Sequence, residues 1–382
     1  MNTVALADVT TVFMGQSPPS SAYNSTGNGL PFFQGKADFG DVSPRVRMYC
    51  TEPTRTSEPG DILISVRAPV GPTNLNIVKS CIGRGLSAIR CSEKVDRKYL
   101  LYFLRFHEPM LAHIGKGSTF EAINRDDLES VCIPLPELDE QKRLAARLEK
   151  TDRLRSTRRY VQELNDTFLQ AVFLRMFGDL TTNPFTWPTV TIEEVCGVIV
   201  DCPHYTPKTF PAGKTAFPFI RTSDIQEGYF DWSTTKYVDF AEYTKRVARH
   251  TPVQGDVIYT REGERFGFAA RVPAGLTPCL GQRVMLLHPK AKTCTSEYLW
   301  ASLNSSSLYQ QAFQLVGGST SPHVNVGDIK SFKALLPPLK RQQQFSKIVL
   351  NYDRLRVQIH EAERQAEHLF QTLLHRAFAE ND

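Results

Sequence analysis

Residues 152–155, Asp-Arg-Leu-Arg, recur unchanged as residues 353–356, 201 positions later. The same offset joins Gly-Ser-Thr-Phe at 117–120 to Gly-Ser-Thr-Ser at 318–321, and it holds without a gap between the two motifs. Such a run of matches at one fixed offset is hard to obtain by chance, so the chain is a tandem repeat. The repeat decides the fold class, because both halves must share one architecture.

Upstream of these motifs the two copies still match, but their offset shrinks stepwise from 201 to 186. Matched positions include Tyr99 with Tyr298, Gly60 with Gly255, Leu30 with Phe217, and Val4 with Val190. The largest step, eight residues, falls between positions 31 and 60 of the first copy and between positions 218 and 255 of the second. Loops on a rigid scaffold usually carry binding function, so this variable insert is a candidate binding element. Simple drift in loop length is the alternative.

Two segments of about forty residues, 139–177 and 339–382, contain none of the 24 prolines and 23 glycines of the chain. A continuous helix of that length spans roughly 60 Å. A long helix is poorly stable without a partner, and the two segments have matched sequences. We therefore expect the two helices to pack together.

Apolar residues recur in alternating steps of three and four along the second segment, as in a coiled-coil seam. The equivalent seam of the first segment is less pure, since it includes polar residues such as Arg147 and Asn165. An antiparallel pair would relate the two repeats by a pseudo-twofold axis. The residues predicted to pair the helices are Leu154, Val161 and Phe168 in the first segment, and Phe345, Ile348, Tyr352, Leu355, Ile359 and Leu369 in the second.

The parts outside the helices have mixed patterns. Strands are predicted at 61–66 and 256–260 and at 86–90 and 284–288, with short helices at 97–106 and 296–303. The fold class predicted is therefore α+β: two mixed α/β domains in tandem, each followed by a long α-helix, with the helices paired as an antiparallel coiled coil with pseudo-twofold symmetry. The predicted boundaries are 1–137, 138–178, 179–338 and 339–382.

Composition is that of a globular protein, with 41% hydrophobic and 22% charged residues. No apolar run is long enough to span a membrane and no signal pattern opens the chain, so a cytoplasmic location is expected. None of the eight cysteines forms a Cys-x-x-Cys pair, and no two histidines have zinc-ligand spacing, so no metal site is expected.

The net charge of +5 permits a nucleic-acid partner without arguing for one. Residues 1–137 carry 14 basic and 14 acidic side chains, and residues 179–338 carry 15 and 14. Binding of DNA by these domains would therefore depend on local placement of charge. Arginine can hold guanine edges or phosphates, and glutamine can hold adenine edges.

The candidate DNA-binding residues lie in and near the variable inserts. They are Gln34, Lys36, Arg45, Arg47 and Arg67 in the first half, and Arg221, Ser223, Lys236, Lys245, Arg246, Arg261 and Arg265 in the second. For any single one of them, an ordinary solvated surface residue is the alternative interpretation.

Catalytic signatures are missing from the sequence. There is no phosphate-binding glycine-rich loop, no Gly-x-Ser-x-Gly and no Asn-Pro-Pro-aromatic motif of amino-methyltransferases. The simplest interpretation is a binding protein that is not itself an enzyme.

Residues 59–63, Pro-Gly-Asp-Ile-Leu, resemble a strand-entry motif of type I restriction-modification specificity subunits. Residues 133–141, Ile-Pro-Leu-Pro-Glu-Leu-Asp-Glu-Gln, are similar to the junction at which that family's recognition domain enters its helix. The order domain, helix, domain, helix covers the whole chain in the same way. The second junction, residues 334–342, lacks the first proline and the acidic residue.

The resemblance implies two target recognition domains that read an asymmetric bipartite DNA target. It implies helices that act as a spacer and dock two methyltransferase subunits, together with restriction and translocase subunits. S-adenosylmethionine, ATP and Mg would belong to those partners, and this chain would have no cofactor of its own. A stand-alone DNA-binding scaffold or regulator without a modification partner is an alternative, and an enzyme with an unrecognised site is another.

Overall fold

The computed structural model describes residues 3–115, 122–263, 265–316 and 323–379. The repeat motifs at 117–120 and 318–321 lie outside the described residues. The chain forms two compact units. The first consists of Met1–Tyr160 with His360–Asp382, and the second of Val161–Ile359. Each long helix therefore contributes one half to each unit.

The first unit holds eleven strands among its described residues. They are β1 (Thr3–Ala5), β2 (Thr10–Met14), β3 (Tyr23–Asn24), β4 (Leu30–Phe33), β5 (Met48–Cys50), β6 (Thr56–Ser57), β7 (Ile62–Ser65), β8 (Thr73–Leu75), β9 (Ser80–Ile82), β10 (Leu86–Cys91) and β11 (Cys132–Pro134). Its helices are α1 (Leu6–Val9), α2 (Arg97–Phe106), α3 (Glu108–Gly115), α4 (Arg125–Glu129) and the first part of α5 (Leu138–Phe177). Short 3-10 turns occupy Ser20–Ala22 and Lys36–Asp38.

The second unit has a matching set of elements. Its described strands are β12 (Thr189–Thr191), β13 (Cys196–Asp201), β14 (Phe217–Ile220), β15 (Ile225–Gln226), β16 (Tyr229–Phe230), β17 (Lys236–Val238), β18 (Val257–Thr260), β19 (Ala269–Arg271), β20 (Cys279–Leu280), β21 (Val284–Pro289) and β22 (Lys333–Leu335). Its helices are α6 (Ile192–Val195), α7 (Phe240–Arg246), α8 (Ser296–Leu303), α9 (Ser306–Val316), α10 (Val326–Ser331) and the first part of α11 (Leu339–Phe378). A 3-10 turn spans Thr222–Asp224.

Sheet order repeats between the units. A four-stranded antiparallel sheet has the order β2-β10-β7-β8 in the first unit and β13-β21-β18-β19 in the second. A further sheet carries the insert, with the order β3-β5-β4-β9-β6 in the first unit and β17-β14-β20 in the second. The predicted strands and short helices are present, and the fold is α+β.

The central strands are buried on both faces, which explains their continuous apolar sequence. In β7, Ile62 and Ile64 face the main core of the first unit, and Leu63 faces the smaller core beneath the insert. In β18, Val257 lies in the main core and Ile258 lies in the second core. Because successive side chains of a strand point to opposite faces, each of these strands packs against the core of the constant skeleton on one face and against the core beneath the variable insert on the other.

Within the first unit, α5 and α11 run antiparallel. Leu148 shares a core with Phe370 and Phe378, while Arg155 Nη1 lies 3.4 Å from Glu367 Oε1, one turn earlier along α11. The Arg155 guanidinium also lies 4.0 Å from the centroid of the Phe370 ring.

Within the second unit the same two helices are again antiparallel. The Phe345 ring lies 5.4 Å from Phe177 and 5.7 Å from Phe173. Phe168 stacks on Tyr352 at 5.9 Å, and the Tyr352 hydroxyl donates to the Asn165 carbonyl at 2.9 Å. The pseudo-twofold relation between the repeats stays a prediction.

The predicted helix seam is correct only in places. Phe345 is fully buried, Ile348 and Tyr352 pack at the edge of the second unit's core, and Val161 and Ile359 are half-buried. Leu154, Leu355 and Leu369 are exposed, as is Phe168, which still stacks on Tyr352, so the role of the three leucines in helix pairing stays a prediction. In the last turns of α11 a buried stripe runs in steps of four through Ala366, Phe370, Leu374 and Phe378, and Ala377 is buried beside it. A helix with 3.6 residues per turn drifts away from a strict heptad stripe, so the contact face moves by one residue.

None of the described helices combines the length and the apolar character needed to cross a membrane.

Candidate nucleic-acid interface

The candidate interface begins where β4 and β14 end. Each of these strands pairs in parallel with a later strand, β9 or β20. The Gly83 amide donates to the Phe33 carbonyl at 2.8 Å, and the Gly281 amide donates to the Ile220 carbonyl at 2.7 Å. A Cβ atom at Gly281 would lie 2.3 Å from that carbonyl oxygen, so this approach requires glycine. The chain then leaves each sheet at a candidate residue, Gln34 or Arg221.

A buried aspartate organises each exit loop. Asp38 accepts hydrogen bonds from the Gln34 amide at 2.7 Å and from Arg47 Nη2 at 2.6 Å. Asp224 accepts from the Arg221 amide at 2.8 Å and from Arg221 Nη2 at 2.8 Å. In the first domain the buried aspartate therefore pairs with an arginine that follows it in the sequence, and in the second domain it pairs with an arginine that precedes it.

These ion pairs fix two guanidinium groups without covering them. The side chain of Arg47 is 57% exposed and that of Arg221 is 33% exposed. Both guanidinium groups bind the carboxylate through Nε and Nη2. Within the described parts of the chain, Nη1 of each has no hydrogen-bond partner. A fixed guanidinium loses less entropy when it binds a base edge or a phosphate.

The remaining candidates of the first domain are exposed. Gln34, Lys36 and Arg45 lie in the insert, and Arg67 lies just after β7, where it forms a β-bridge with Ala122. Glu108 is close enough to Lys36 for their charges to interact. Burial raises the pKa of Glu108, and the positive charges of Arg105 and Lys36 act in the opposite direction.

In the second domain, Lys236 and Lys245 are exposed on β17 and α7. Arg265 is half-buried, and its Nη1 donates to the carbonyl of the exposed Ser223 at 2.9 Å. The nearby Asp231 has a lowered pKa, because Ser233 donates hydrogen bonds to its carboxylate. Arg265 and Ser223 are thereby brought together on one loop surface.

Arg246 is a buried structural residue, which corrects its assignment to the interface. Its side chain has no exposed surface, and it binds Glu242 at 2.5 Å and the carbonyls of Leu280 and Tyr205 at 2.8 and 2.9 Å. It ties α7 to β20 and to the backbone at Tyr205, and its buried guanidinium cannot reach a base.

Arg261 requires the same correction. It is 3% exposed and pairs with Glu262 at 2.9 Å and with Asp201 at 3.2 Å. Buried guanidinium groups need such carboxylate partners. In sequence, both arginines were indistinguishable from exposed ones, because composition does not report burial.

Glu262 is a candidate that the sequence interpretation missed. It follows β18 and bridges His323, as Arg67 follows β7 and bridges Ala122. Its carboxylate lies 2.9 Å from His323 Nδ1 and 3.6 Å from Arg283 Nε. The offset of 195 at Gly60 and Gly255 also aligns Arg67 with Glu262, so the repeat itself contained this signal.

The two halves of the chain each match one protein family. The family is described as the type I restriction modification DNA specificity domain, and it matches residues 1–165 and 184–367. The chain belongs to the family of type I restriction-modification specificity domains.

Several specificity subunits are similar to the chain. The putative type I restriction enzyme MjaX specificity subunit of Methanocaldococcus jannaschii is 48% identical over 153 residues, which cover 40% of this chain and 36% of that protein. The MjaVIII specificity subunit of the same organism is 22% identical over 68% of this chain and 64% of that protein. The chain therefore matches between about a third and two thirds of the length of these relatives.

A solved structure shares the fold of these specificity domains. The type I restriction-modification S subunit from M. genitalium matches with a TM-score of 0.67 over 99% of this chain and 96% of that chain. Its sequence identity is 14%, so the likeness concerns the fold alone.

Proposed function

We propose that this chain is the DNA-specificity subunit of a type I restriction-modification complex. Each domain reads one part of an asymmetric bipartite target. The long helices scaffold two methyltransferase subunits and the restriction subunits.

One observation carries the proposal. The two domains share one backbone skeleton, but they place side chains of opposite charge at equivalent positions. Arg67 is exposed and offers hydrogen-bond donors, whereas the equivalent Glu262 carries an acceptor carboxylate that pairs with Arg261, His323 and Arg283. Arginine suits the N7 and O6 acceptors of guanine, and a carboxylate suits the N4 donor of cytosine. Two such domains read different base sequences, which makes the target asymmetric.

The exit loops support the same function. Arg47 and Arg221 are oriented by Asp38 and Asp224, and both remain partly exposed. Fixed donors of this kind discriminate between bases better than flexible ones, because their geometry is set before binding. Lys36, Arg45 and Lys245 are exposed and suit phosphate contacts, which set the position of the protein on DNA.

The chain acts by binding, and the chemical steps belong to its partners. S-adenosylmethionine, ATP and Mg bind the partner subunits in this proposal. Methylation of an adenine requires access to an atom inside the duplex, so the methyltransferase must flip the base out of the stack. The nearly neutral charge of both domains fits a subunit that shares phosphate contacts with its partners.

A domain exchange tests the proposal. The full chain is co-expressed with a methyltransferase of its own host, and residues 1–137 are replaced by the equivalent domain of another specificity subunit. Sequencing of methylated bases is expected to show that one half of the target changes and the other half is retained. A change in both halves contradicts separate reading. Tight DNA binding by a chain that ignores the methyltransferase supports the stand-alone scaffold instead.

A further inference from the structure

A buried carboxylate lies between two histidine side chains in the second domain. Asp256, directly before β18, is fully buried. Its Oδ1 lies 2.6 Å from His288 Nδ1, and its Oδ2 lies 2.8 Å from His250 Nε2. The Val253 amide also donates to Oδ2 at 2.9 Å.

The first domain shows what this skeleton requires at that position. Asp61 is the equivalent of Asp256, and its carboxylate is held by Arg90 through two hydrogen bonds of 2.9 Å. The Glu58 amide donates to it at 2.8 Å, in the place of the Val253 amide. Arg90 and His288 occupy equivalent positions on β10 and β21. Arg90 reaches both carboxylate oxygens of Asp61, whereas in the second domain two separate imidazoles each reach one oxygen of Asp256.

The three side chains have the donor set of a transition-metal site. One nitrogen of each imidazole and one carboxylate oxygen all lie within 4.8 Å of one another. Zinc binds such ligands at about 2.0–2.2 Å, which places tetrahedral ligand atoms about 3.4 Å apart. His288 is 40% exposed, so water can reach a fourth position.

We propose that His250 Nε2, His288 Nδ1 and the Asp256 carboxylate bind one Zn²⁺ ion, with water as the fourth ligand. Two imidazoles and one carboxylate favour zinc and its neighbours over Mg²⁺ or Ca²⁺, which prefer all-oxygen sites. His250 and His288 are 38 positions apart in the sequence, which is why ligand spacing predicted no metal there. Only the folded sheet brings them to one carboxylate.

The site would join the insert to the skeleton. His288 lies on β21 and Asp256 directly precedes β18, the two central strands of the four-stranded sheet, whereas His250 lies between α7 and β18, in the variable insert. A metal bound by all three restricts the insert that carries Lys236 and Lys245. The ion has a structural role in this proposal and takes no part in a reaction.

The test uses the full chain without a polyhistidine tag, stripped of metal with EDTA and dialysed. ZnCl₂ is titrated by calorimetry, and bound zinc is counted by mass spectrometry after equilibrium dialysis. We expect one equivalent of zinc per chain. At saturating zinc we expect the midpoint of thermal unfolding to rise by roughly 5 °C, because the ion binds only the folded state.

His288→Arg is the discriminating variant. It restores the arginine–aspartate pair of the first domain, so the fold is retained while a ligand nitrogen is lost. We expect zinc binding to fall at least tenfold, with an unchanged circular dichroism spectrum. His204→Ala is the matched control, since His204 pairs with Asp201 at 3.1 Å on the surface, and it should bind zinc normally. Less than 0.2 equivalents bound by the natural chain, or equal binding by His288→Arg, overturns the proposal.

Discussion

The ring of Phe378 lies 5.3 Å from the ring of Tyr99, although the two residues are 279 positions apart in the sequence. The contact is repeated in the second unit, where Phe177 lies 4.9 Å from Tyr298. Phe177 and Phe378 are the last residues of α5 and α11, and they match at the repeat offset of 201. Each domain core is thus completed by the end of the helix that belongs to the other repeat.

Phe378→Ala is expected to destabilise the first unit by about 3–5 kcal/mol, because it removes a buried ring that also contacts Phe103 and Phe106. Hydrogen exchange followed by mass spectrometry should show lost protection in peptides of α2. Peptides of α8 should keep theirs. Phe177→Ala is the matched variant and should produce the reverse pattern. Equal effects of either substitution on both domains would contradict the assignment of the two cores.

Gln342→Leu should lower the free energy of unfolding by about 2–3 kcal/mol. Gln342 is fully buried, accepts from the Thr295 amide at 2.9 Å, and donates to the carbonyls of Thr293 and Pro337 at 3.0 and 2.9 Å. Leucine leaves these backbone groups without partners. Denaturant unfolding monitored by tryptophan fluorescence measures the change.

Gln343→Leu is the control for this substitution, because Gln343 is exposed on the next position of α11 and should change stability by less than about 0.5 kcal/mol. Gln141 makes the same three bonds in the first unit, to Asp96, Lys94 and Pro136. Gln141→Leu is therefore expected to cost as much as Gln342→Leu. A neutral effect at either position would show that the junction tolerates unpaired backbone groups.

Arg67→Ala should weaken binding of the assembled complex to its DNA target. If Arg67 holds a base edge, the loss is about 1–3 kcal/mol and confined to one position of the first half-site. If it holds a phosphate, the loss is uniform across sequences, and the slope of log K against log salt falls by about one. Fluorescence anisotropy at several salt concentrations distinguishes these results. Arg153→Ala, on an exposed helix position, is the control, and an equal loss there would remove Arg67 from the interface.

The stability contributed by Glu149 should depend on pH. Lys98 donates to its carboxylate at 2.7 Å, and this hydrogen bond lowers the pKa of Glu149. A lowered folded-state pKa gives stability that is present above the unfolded value, near 4.3, and is lost as the pH falls through the folded value. Because both side chains are partly exposed, Glu149→Gln should cost under about 1 kcal/mol at pH 7. Thermal unfolding at pH 7 and pH 3 measures the difference, and a cost that grows toward pH 3 would contradict the sign.

The elements of the fold were predictable because their signals are local. Continuous apolar runs marked β7 and β18, and the absence of glycine and proline marked both ends of α5 and the start of α11 within one residue. The repeat also indicated which residues would share roles, as Gln141 and Gln342 do. The helix seam was less predictable, since the heptad pattern at Leu355 and Leu369 does not report how far a helix has rotated.

The candidate interface was predictable only in outline. Exposed residues such as Lys36 and Arg67 follow from their place in and beside the insert. The burial of Arg246 and Arg261 depends on carboxylates and carbonyls that approach from other elements. The repeat offset already aligned Arg67 with Glu262. Only the two β-bridges in the structure show that these oppositely charged residues occupy equivalent places in the two domains.

The sequence by itself determined a duplicated α+β chain with two long helices. Both the repeat and the helix periodicity can be detected from residue order alone, without knowing which residues are in contact. Tertiary structure alone decided that Phe378 completes the core around Tyr99, and that His250 and His288 meet at Asp256. Such contacts join residues distant along the chain, and they depend on the register and packing of whole elements, which no short stretch of sequence specifies.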